Sequence, residues 1–275
     1  MMSKSLIANG KSRIANRHAT CDKRQAICDT RMANLVVVFG PRTTLAKHIL
    51  STSWAGQKNL LLVARDKQEA NWIGSNFPAA EILACWLPEH EWKWPEAYGC
   101  ITILLCAFAV IHPVMPDWSS HCEATRRDIE ILSHILAKFR RQVIKIVFIS
   151  SVLALALPAY AGTSLPLRRD PALREPKQGP ERIYYVGFKC LAESMIRDLL
   201  TNQEGVSLSV FYPGRLVSQK SLLSPLSFLH TTYRRFAQRL VHVANSYTPH
   251  REIVGLDARI LLILKAFGLL MRAVF

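Results

Sequence analysis

Glycine is scarce in this sequence, and the patterns of several common functional sites are absent. Only 12 of 275 residues are glycine, about 4% against a usual value of about 7%. The seven cysteines form no C-x-x-C pair and several lie in apolar runs, so we expect buried free thiols and not a zinc ribbon or a thioredoxin-like site. The histidines are too dispersed to predict a metal site, and no G-x-S-x-G, P-loop or H-E-x-x-H pattern occurs.

The positive charge of the chain is concentrated at its two ends. The net charge is +15, yet residues 33–214 contribute little of it. Residues 1–32 carry seven Lys/Arg against two Asp/Glu, and residues 215–275 carry nine against two. This asymmetry favours a conventional domain with basic ends over a protein that binds a specific nucleic acid. Residues 1–32 contain no apolar stretch of signal-peptide length, so we expect a flexible extension and a cytoplasmic protein.

Strand-like and helix-like segments alternate between residues 33 and 217. Apolar runs that predict strands occupy 34–39, 59–63, 81–85, 101–111, 143–149 and 206–211. Helical spacing predicts helices at 44–51, 68–73, 123–141 and 184–200. This alternation predicts an α/β domain with a doubly wound parallel sheet over 33–217. Ligands bind at the carboxyl ends of such strands, where Gly40, Arg65, Ser151 and Pro213 stand.

A tyrosine and a lysine stand four residues apart on the predicted helix 184–200. The spacing places Tyr185 and Lys189 on one helix face. A nearby ammonium favours the phenolate and lowers the pKa of a tyrosine. With the hydroxyl of Ser151 holding a substrate oxygen, the phenol is then suited to exchange a proton as a general acid/base.

These motifs and their order resemble the short-chain dehydrogenase/reductase superfamily, and most closely its extended branch of epimerases and dehydratases. The matching strings are Val-Val-Phe-Gly40, Phe-Ile-Ser-Ser151-Val, Tyr185-x-x-x-Lys189-x-x-x-Glu193 and Phe-Tyr-Pro213-Gly214-Arg. The resemblance implies a Rossmann-type sheet and an NAD or NADP cofactor. It also implies that Tyr185 is the general acid/base, that Lys189 binds the nicotinamide ribose, and that Ser151 bonds the reacting oxygen.

The resemblance further implies where the cofactor binds, with one marked departure. The implied cofactor-binding residues are Gly40, Arg42, Thr43, Thr44, Leu45, Arg65, Asp66, Lys189 and Pro213. The glycine-rich loop of the family is represented by Gly40-Pro-Arg-Thr43-Thr-Leu-Ala46, where Thr43 replaces a glycine that lets backbone approach a pyrophosphate. Hydroxyl contacts from the loop or a loss of dinucleotide affinity are both consistent with this change. Asp66 suits the ribose hydroxyl of NAD, but Arg65 comes first after the second strand and Arg42 adds positive charge, so the sequence favours NADP over NAD.

Residues 218–275 predict a short, basic and mainly helical region. Tyr233–His242 has the pattern of an amphipathic helix, and Asp257 is predicted to cap an apolar helix over 258–275. This last helix is apolar nearly all round, with Lys265 and Arg272 on one face. Three alternatives fit this helix: it docks on the domain or on a partner subunit, it lies in the interface of an anionic membrane, or it spans a membrane.

The sequence therefore predicts an NAD(P)-dependent oxidoreductase or a nucleotide-sugar epimerase/dehydratase-like enzyme. Its substrate is expected to be a small molecule such as a nucleotide sugar or a steroid-like alcohol, and a homodimer is possible. The alternative is a catalytically weak protein of the same fold that acts as a regulatory or interaction module. Peripheral contact of 258–275 with an anionic membrane is compatible with either function.

Overall fold

A seven-stranded, wholly parallel sheet organises the chain. The computed structural model describes residues 35–52, 59–95, 99–108, 118–156, 181–201, 203–218, 229–244 and 249–274. The sheet strands are β1 Leu35–Phe39, β2 Leu60–Ala64, β3 Glu81–Ala84, β4 Cys100–Leu105, β5 Val143–Ile149, β6 Val206–Pro213 and β9 Arg251–Val254; β7 Leu216–Val217 and β8 Thr231–Thr232 form a small separate pair. The helices are α1 Thr44–Thr52, α2 Lys67–Asn76, α3 Trp118–Lys138, α4 Val152–Ala156, α5 Glu181–Leu200, α6 Tyr233–Ala244 and α7 Leu256–Val274, with a 3-10 turn at Glu89–Glu91.

The strand order reverses beside β1. The order across the sheet is β3-β2-β1-β4-β5-β6-β9, so the chain builds one half outward from β1 and then crosses to β4 on the other side. Such a reversal leaves a crevice between the carboxyl ends of β1 and β4. The predicted doubly wound α/β fold is confirmed.

Both faces of the sheet are covered, which explains the uninterrupted apolar strands. All five residues of β1 are buried, with Val37 in the core on one face and Val38 in the core on the other. The first core includes Leu132 of α3 and Leu191 of α5. The second includes side chains of α1 and α6.

Several predicted boundaries differ from the observed ones. The fourth strand, predicted to reach 111, ends at Leu105, because the chain turns at 106–108 beside the end of β1; residues 109–117 lie outside the described ranges. Helix α3 begins at Trp118, not at 123. The short strand β9 was not predicted, since its four residues carry two charges and only its pairing with β6 defines it.

The start of the last helix corrects another prediction. Helix α7 begins at Leu256, so Asp257 lies in its first turn and is not its N-cap. The Asp257 carboxylate instead accepts a hydrogen bond from the Arg215 amide at 2.7 Å and pairs with the His230 ring at 3.2 Å. It therefore fastens α7 to the loop that follows β6.

One face of α7 is docked and another is exposed. The Lys265 ammonium donates to the Leu155 carbonyl at 2.8 Å, so this lysine faces the domain, whereas Ile263 and Leu264 are 59% and 63% exposed. Among the described residues, no helix combines the length and apolarity needed to cross a membrane. The described part of α7 therefore contacts the domain through Lys265 and carries exposed apolar side chains on another face.

The thiol prediction holds only in part. Cys85, Cys106, Cys122 and Cys190 are free. Cys100, at the start of β4, is disulfide-bonded, so the prediction of a free thiol is wrong there; burial in an apolar run does not prevent a sulfur from pairing.

A buried lysine in β5 makes the stability of the fold depend on pH. Lys145 is fully buried and donates to the carbonyl of Val243 near the end of α6, and burial lowers the pKa of its ammonium from 10.5 to about 8. Between these two pH values the unfolded chain binds more protons than the folded chain, so stability rises with pH. Lys145→Met is expected to remove roughly 3 kcal/mol of this rise.

Denaturant titrations at a series of pH values from about 7 to about 10.5 measure this dependence. Lys67→Met, at an exposed lysine, is the matched control and is expected to keep the slope of the wild-type chain. Equal slopes in the wild-type chain and Lys145→Met would contradict the assignment.

Candidate active site

The turn after β1 brings backbone close to the end of β4. Gly40 has φ +68°, and a Cβ at this position would lie 2.0 Å from the Cβ of Ala107. The Ala107 amide donates to the Phe39 carbonyl at 3.3 Å, which holds the two strand ends together. Gly40 is therefore needed both for the left-handed conformation and for the close approach.

Thr43 caps α1 from inside the loop. Its hydroxyl donates to the Gly40 carbonyl at 2.9 Å and accepts from the Ala46 amide at 3.2 Å. The side chain that replaces a glycine thus satisfies groups of the loop itself. The amides of Thr44 and Leu45 belong to the first turn of α1, where no carbonyl of the helix itself is available to accept from them, and such amides bind anions.

An outer cavity of about 790 Å³ lies beside this loop, between β2 and α3. Its lining combines three arginines with four carboxylates: Arg42, Arg65, Arg127, Asp66, Glu69, Glu123 and Asp128. Gly40, Thr43, Cys85 and Ala107 complete much of its floor. The lining is therefore rich in charged side chains of both signs, and Arg42 stands near the amino end of α1.

Arg65 crosses the outer cavity and binds α3. Its guanidinium pairs with the Asp128 carboxylate at 2.9 Å and also donates to the Ala107 carbonyl. Burial lowers the pKa of Arg65, but the negative charges around it, Asp128 first and then Glu69, raise it, so the net shift is upward. Arg65 is thus placed where the sequence predicts a cofactor contact, although much of its hydrogen-bonding capacity is already used.

Asp66 also has a structural role beside this cavity. Its carboxylate accepts from the Glu69 amide at 2.7 Å as the N-cap of α2. The Glu69 side chain in turn accepts from the Arg65 amide at 3.0 Å. Both predicted ribose contacts, Arg65 and Asp66, therefore lie in the cavity with protein partners of their own.

An inner cavity of about 540 Å³ adjoins the outer one at the same loop. Arg42 and Thr43 line both cavities. The other lining residues of the inner cavity are Thr44, Leu45, Cys106, Ile149, Ser150, Ser151, Lys189, Pro213, Gly214, Leu216 and Tyr233. Residues from the ends of β4, β5 and β6 thus meet the start of α1, as the strand-end argument predicts.

Lys189 reaches from α5 to the ends of β4 and β5. Its ammonium is buried and donates to the Ile149 carbonyl at 3.0 Å and to the Phe108 carbonyl at 3.4 Å. Burial lowers the pKa of Lys189 to about 8, while Cys106 and Asp128 oppose this shift. Lys189 therefore lines the inner cavity with an ammonium whose pKa is much closer to neutral pH than that of an ordinary lysine.

Ser151 and Tyr185 complete the predicted set in different ways. The Ser151 oxygen accepts from the Leu153 amide at 3.3 Å at the start of α4, which leaves its hydroxyl proton available to the cavity. Tyr185 lies on α5 one turn before Lys189, and its side chain is outside the described part of the chain. The structure brings the other predicted residues together: Gly40, Arg42, Thr43, Thr44, Leu45, Arg65, Asp66, Ser151, Lys189 and Pro213 all line one of the two cavities.

Three residues of the site were missed by sequence reasoning. Asp128 pairs with a residue 63 positions away, which no local pattern reveals. Arg127 donates to the Cys85 carbonyl at 3.1 Å, a contact between residues 42 positions apart. Ser150 lines the inner cavity and was detectable only as the first serine of the Ser-Ser pair that ends β5.

Solved structures identify the fold. The chain is similar to a short-chain dehydrogenase/reductase from Vibrio parahaemolyticus, with a TM-score of 0.50, 14% identity and coverage of 80% of this chain and 99% of that one. The yeast methylglyoxal/isovaleraldehyde reductase Gre2, crystallised with NADPH, gives a TM-score of 0.53 and 15% identity over 81% of this chain and 78% of that one. The chain has the short-chain dehydrogenase/reductase fold.

Gre2 from Candida albicans, also in complex with NADPH, has the same fold with a TM-score of 0.50, 14% identity and coverage of 81% and 78%. No protein-family model and no curated protein matches the sequence. At these identities the short-chain dehydrogenase/reductase likeness establishes architecture, and the chemistry must be argued from the residues of the two cavities.

Proposed function

We propose that this protein is an NAD(P)-dependent oxidoreductase that favours NADP(H) and acts on a carbonyl or carbinol of a small molecule. The observation that carries the proposal is the inner cavity, where Lys189 and Ser151 meet the start of α1. This cavity joins the outer one through Arg42 and Thr43, so a single elongated ligand can occupy both.

The residues present fit a dinucleotide. Gly40 lets the loop lie against Ala107 at the end of β4. The first-turn amides of α1 offer hydrogen-bond donors for a diphosphate beside Arg42. Arg42 and Arg65 bring guanidinium groups to the outer cavity. Because Asp128 already pairs with Arg65, the exposed Arg42 is the group best suited to a 2′-phosphate and hence to NADP. The Gre2 structures, which hold NADPH, are consistent with this preference.

The chemistry is assigned to three residues of this chain. Bound NADP(H) supplies or accepts the hydride. Tyr185 exchanges the proton with the substrate oxygen, and Ser151 donates a hydrogen bond to the same oxygen. Lys189 lies one helical turn from Tyr185, and its positive charge favours the phenolate.

The alternative function is a binding module of the same fold with weak or no catalysis. The ion pair between Arg65 and Asp128 favours it, because this pair occupies part of the outer cavity. Four points remain predictions: the epimerase/dehydratase-like reaction, the nucleotide-sugar or steroid-like substrate, the cytoplasmic location and the homodimer. Contact of 258–275 with an anionic membrane also remains one, and the exposed Ile260, Ile263 and Leu264 are compatible with it.

Transfer of deuterium from the cofactor distinguishes the enzyme from the binding module. The purified chain is incubated with NADPH carrying deuterium at both C4 positions of the nicotinamide and with a panel of aldehydes and ketones. We expect a carbinol product one mass unit heavier than the product from unlabelled NADPH, detected by mass spectrometry. Binding of NADPH without deuterium in any product favours the binding module.

A further inference from the structure

Ser150 carries a hydroxyl with no hydrogen-bond partner. The residue lines the inner cavity and is 1% exposed, and its Oγ, which is itself buried, has no partner among the described residues. A buried hydroxyl without a hydrogen-bond partner destabilises the folded chain. Such groups are few in native structures and call for an explanation.

The groups around Ser150 are already engaged. The Ser150 amide donates to the Phe211 carbonyl at 2.9 Å, which fixes its backbone in the sheet. The Ile149 carbonyl accepts from Lys189, and the Ser151 hydroxyl oxygen accepts from the Leu153 amide. Ser150 therefore holds an uncommitted donor and acceptor at the end of β5, beside the inner cavity.

We infer that Ser150 is a ligand-binding residue whose hydroxyl donates to a carbonyl oxygen of the molecule held in the inner cavity. This inference rests on the proposed function. Two carbonyl groups reach such a cavity in that function: the carboxamide of the nicotinamide and the reducible carbonyl of the substrate. Either carbonyl oxygen accepts a hydrogen bond from the Ser150 hydroxyl on binding, and this added hydrogen bond increases the affinity for the ligand.

Ser207 provides a matched control. Its Oγ is also buried without a partner, but Ser207 pairs with Lys145 near the start of β6, at the opposite end of the strand from the site. Ser207 lines neither cavity. Ser150→Ala and Ser207→Ala thus remove equivalent hydroxyls, and only the first removal is expected to affect ligands.

The test measures dissociation constants for NADPH and for 2′-phospho-ADP-ribose, which lacks the nicotinamide, together with KM for the carbonyl compound that is turned over. Ser150→Ala is expected to lose roughly three- to tenfold in NADPH affinity or in KM, with no fall in melting temperature. Weaker NADPH binding with unchanged 2′-phospho-ADP-ribose binding assigns the carboxamide. A raised KM with unchanged NADPH binding assigns the substrate. Ser207→Ala is expected to change neither constant.

Other outcomes overturn the inference. Unchanged constants in Ser150→Ala, or an equal loss of NADPH and 2′-phospho-ADP-ribose affinity, show a merely structural serine while the proposed function stands. If the wild-type chain binds no NADPH, the proposed function fails and the inference fails with it.

Discussion

Replacing Gly40 with alanine is expected to lower the free energy of unfolding by about 2–5 kcal/mol. The added Cβ would lie 2.0 Å from the Cβ of Ala107 and 3.0 Å from its backbone nitrogen, and φ at this position is +68°. Relief requires β1 and β4 to separate where the Ala107 amide binds the Phe39 carbonyl. Urea denaturation measures the loss.

Gly74→Ala is the control for this substitution. Gly74 lies inside α2, and no atom stands within 4 Å of the Cβ it would gain. Alanine is expected to stabilise the chain there by about 0.5–1 kcal/mol, because glycine is a poor helix former. A Gly40→Ala chain as stable as the wild type would show that the close approach of β1 and β4 is not required.

Tyr185→Phe is expected to lower kcat by about 10²–10⁴-fold. The substitution removes the phenol proton and keeps the ring, so NADPH affinity is expected to stay unchanged. Steady-state kinetics with the substrate found by deuterium transfer measure the loss, and calorimetry checks the affinity.

Tyr184→Phe makes the same chemical change one residue earlier, about 100° away around α5. It is expected to retain kcat. If Tyr185→Phe retains kcat as Tyr184→Phe does, Tyr185 has no part in the mechanism and another group must exchange the proton.

Periodicity predicted most of the fold because the central strands are buried on both faces. A run such as Leu35–Phe39 has no polar residue to mislead the assignment, and its end at Gly40 marks the turn. β9 escaped prediction because Arg251 and Glu252 fill half of a four-residue strand. The pairing of such a strand is decided by tertiary contacts and not by its own composition.

The site was predictable wherever it depended on strand ends. Gly40, Ser151 and Pro213 converge because parallel strands end at one edge. The side-chain contacts formed at this edge of the sheet were not predictable from the sequence. Asp128 meets Arg65 only after α3 crosses the sheet, and an unsatisfied Ser150 hydroxyl is a property of three-dimensional packing.

The departure at Thr43 shows the same distinction. The sequence indicates crowding where a glycine is usual, with rescue by hydroxyl contacts as one alternative. In the structure the hydroxyl bonds Gly40 and Ala46, so Thr43 closes the turn as a helix cap. These two hydrogen bonds explain how a threonine fits this loop, where it lines both cavities.

Titration of the wild-type chain with NADPH and, separately, with NADH tests the central claim most directly, because every assigned role depends on a dinucleotide at the Gly40 loop. Calorimetry is expected to show one NADPH site in the micromolar range and weaker NADH binding. NADPH at 100 times its dissociation constant is expected to stabilise the fold by about 2.7 kcal/mol. No heat of binding and no thermal stabilisation with either nucleotide at millimolar concentration would contradict the account.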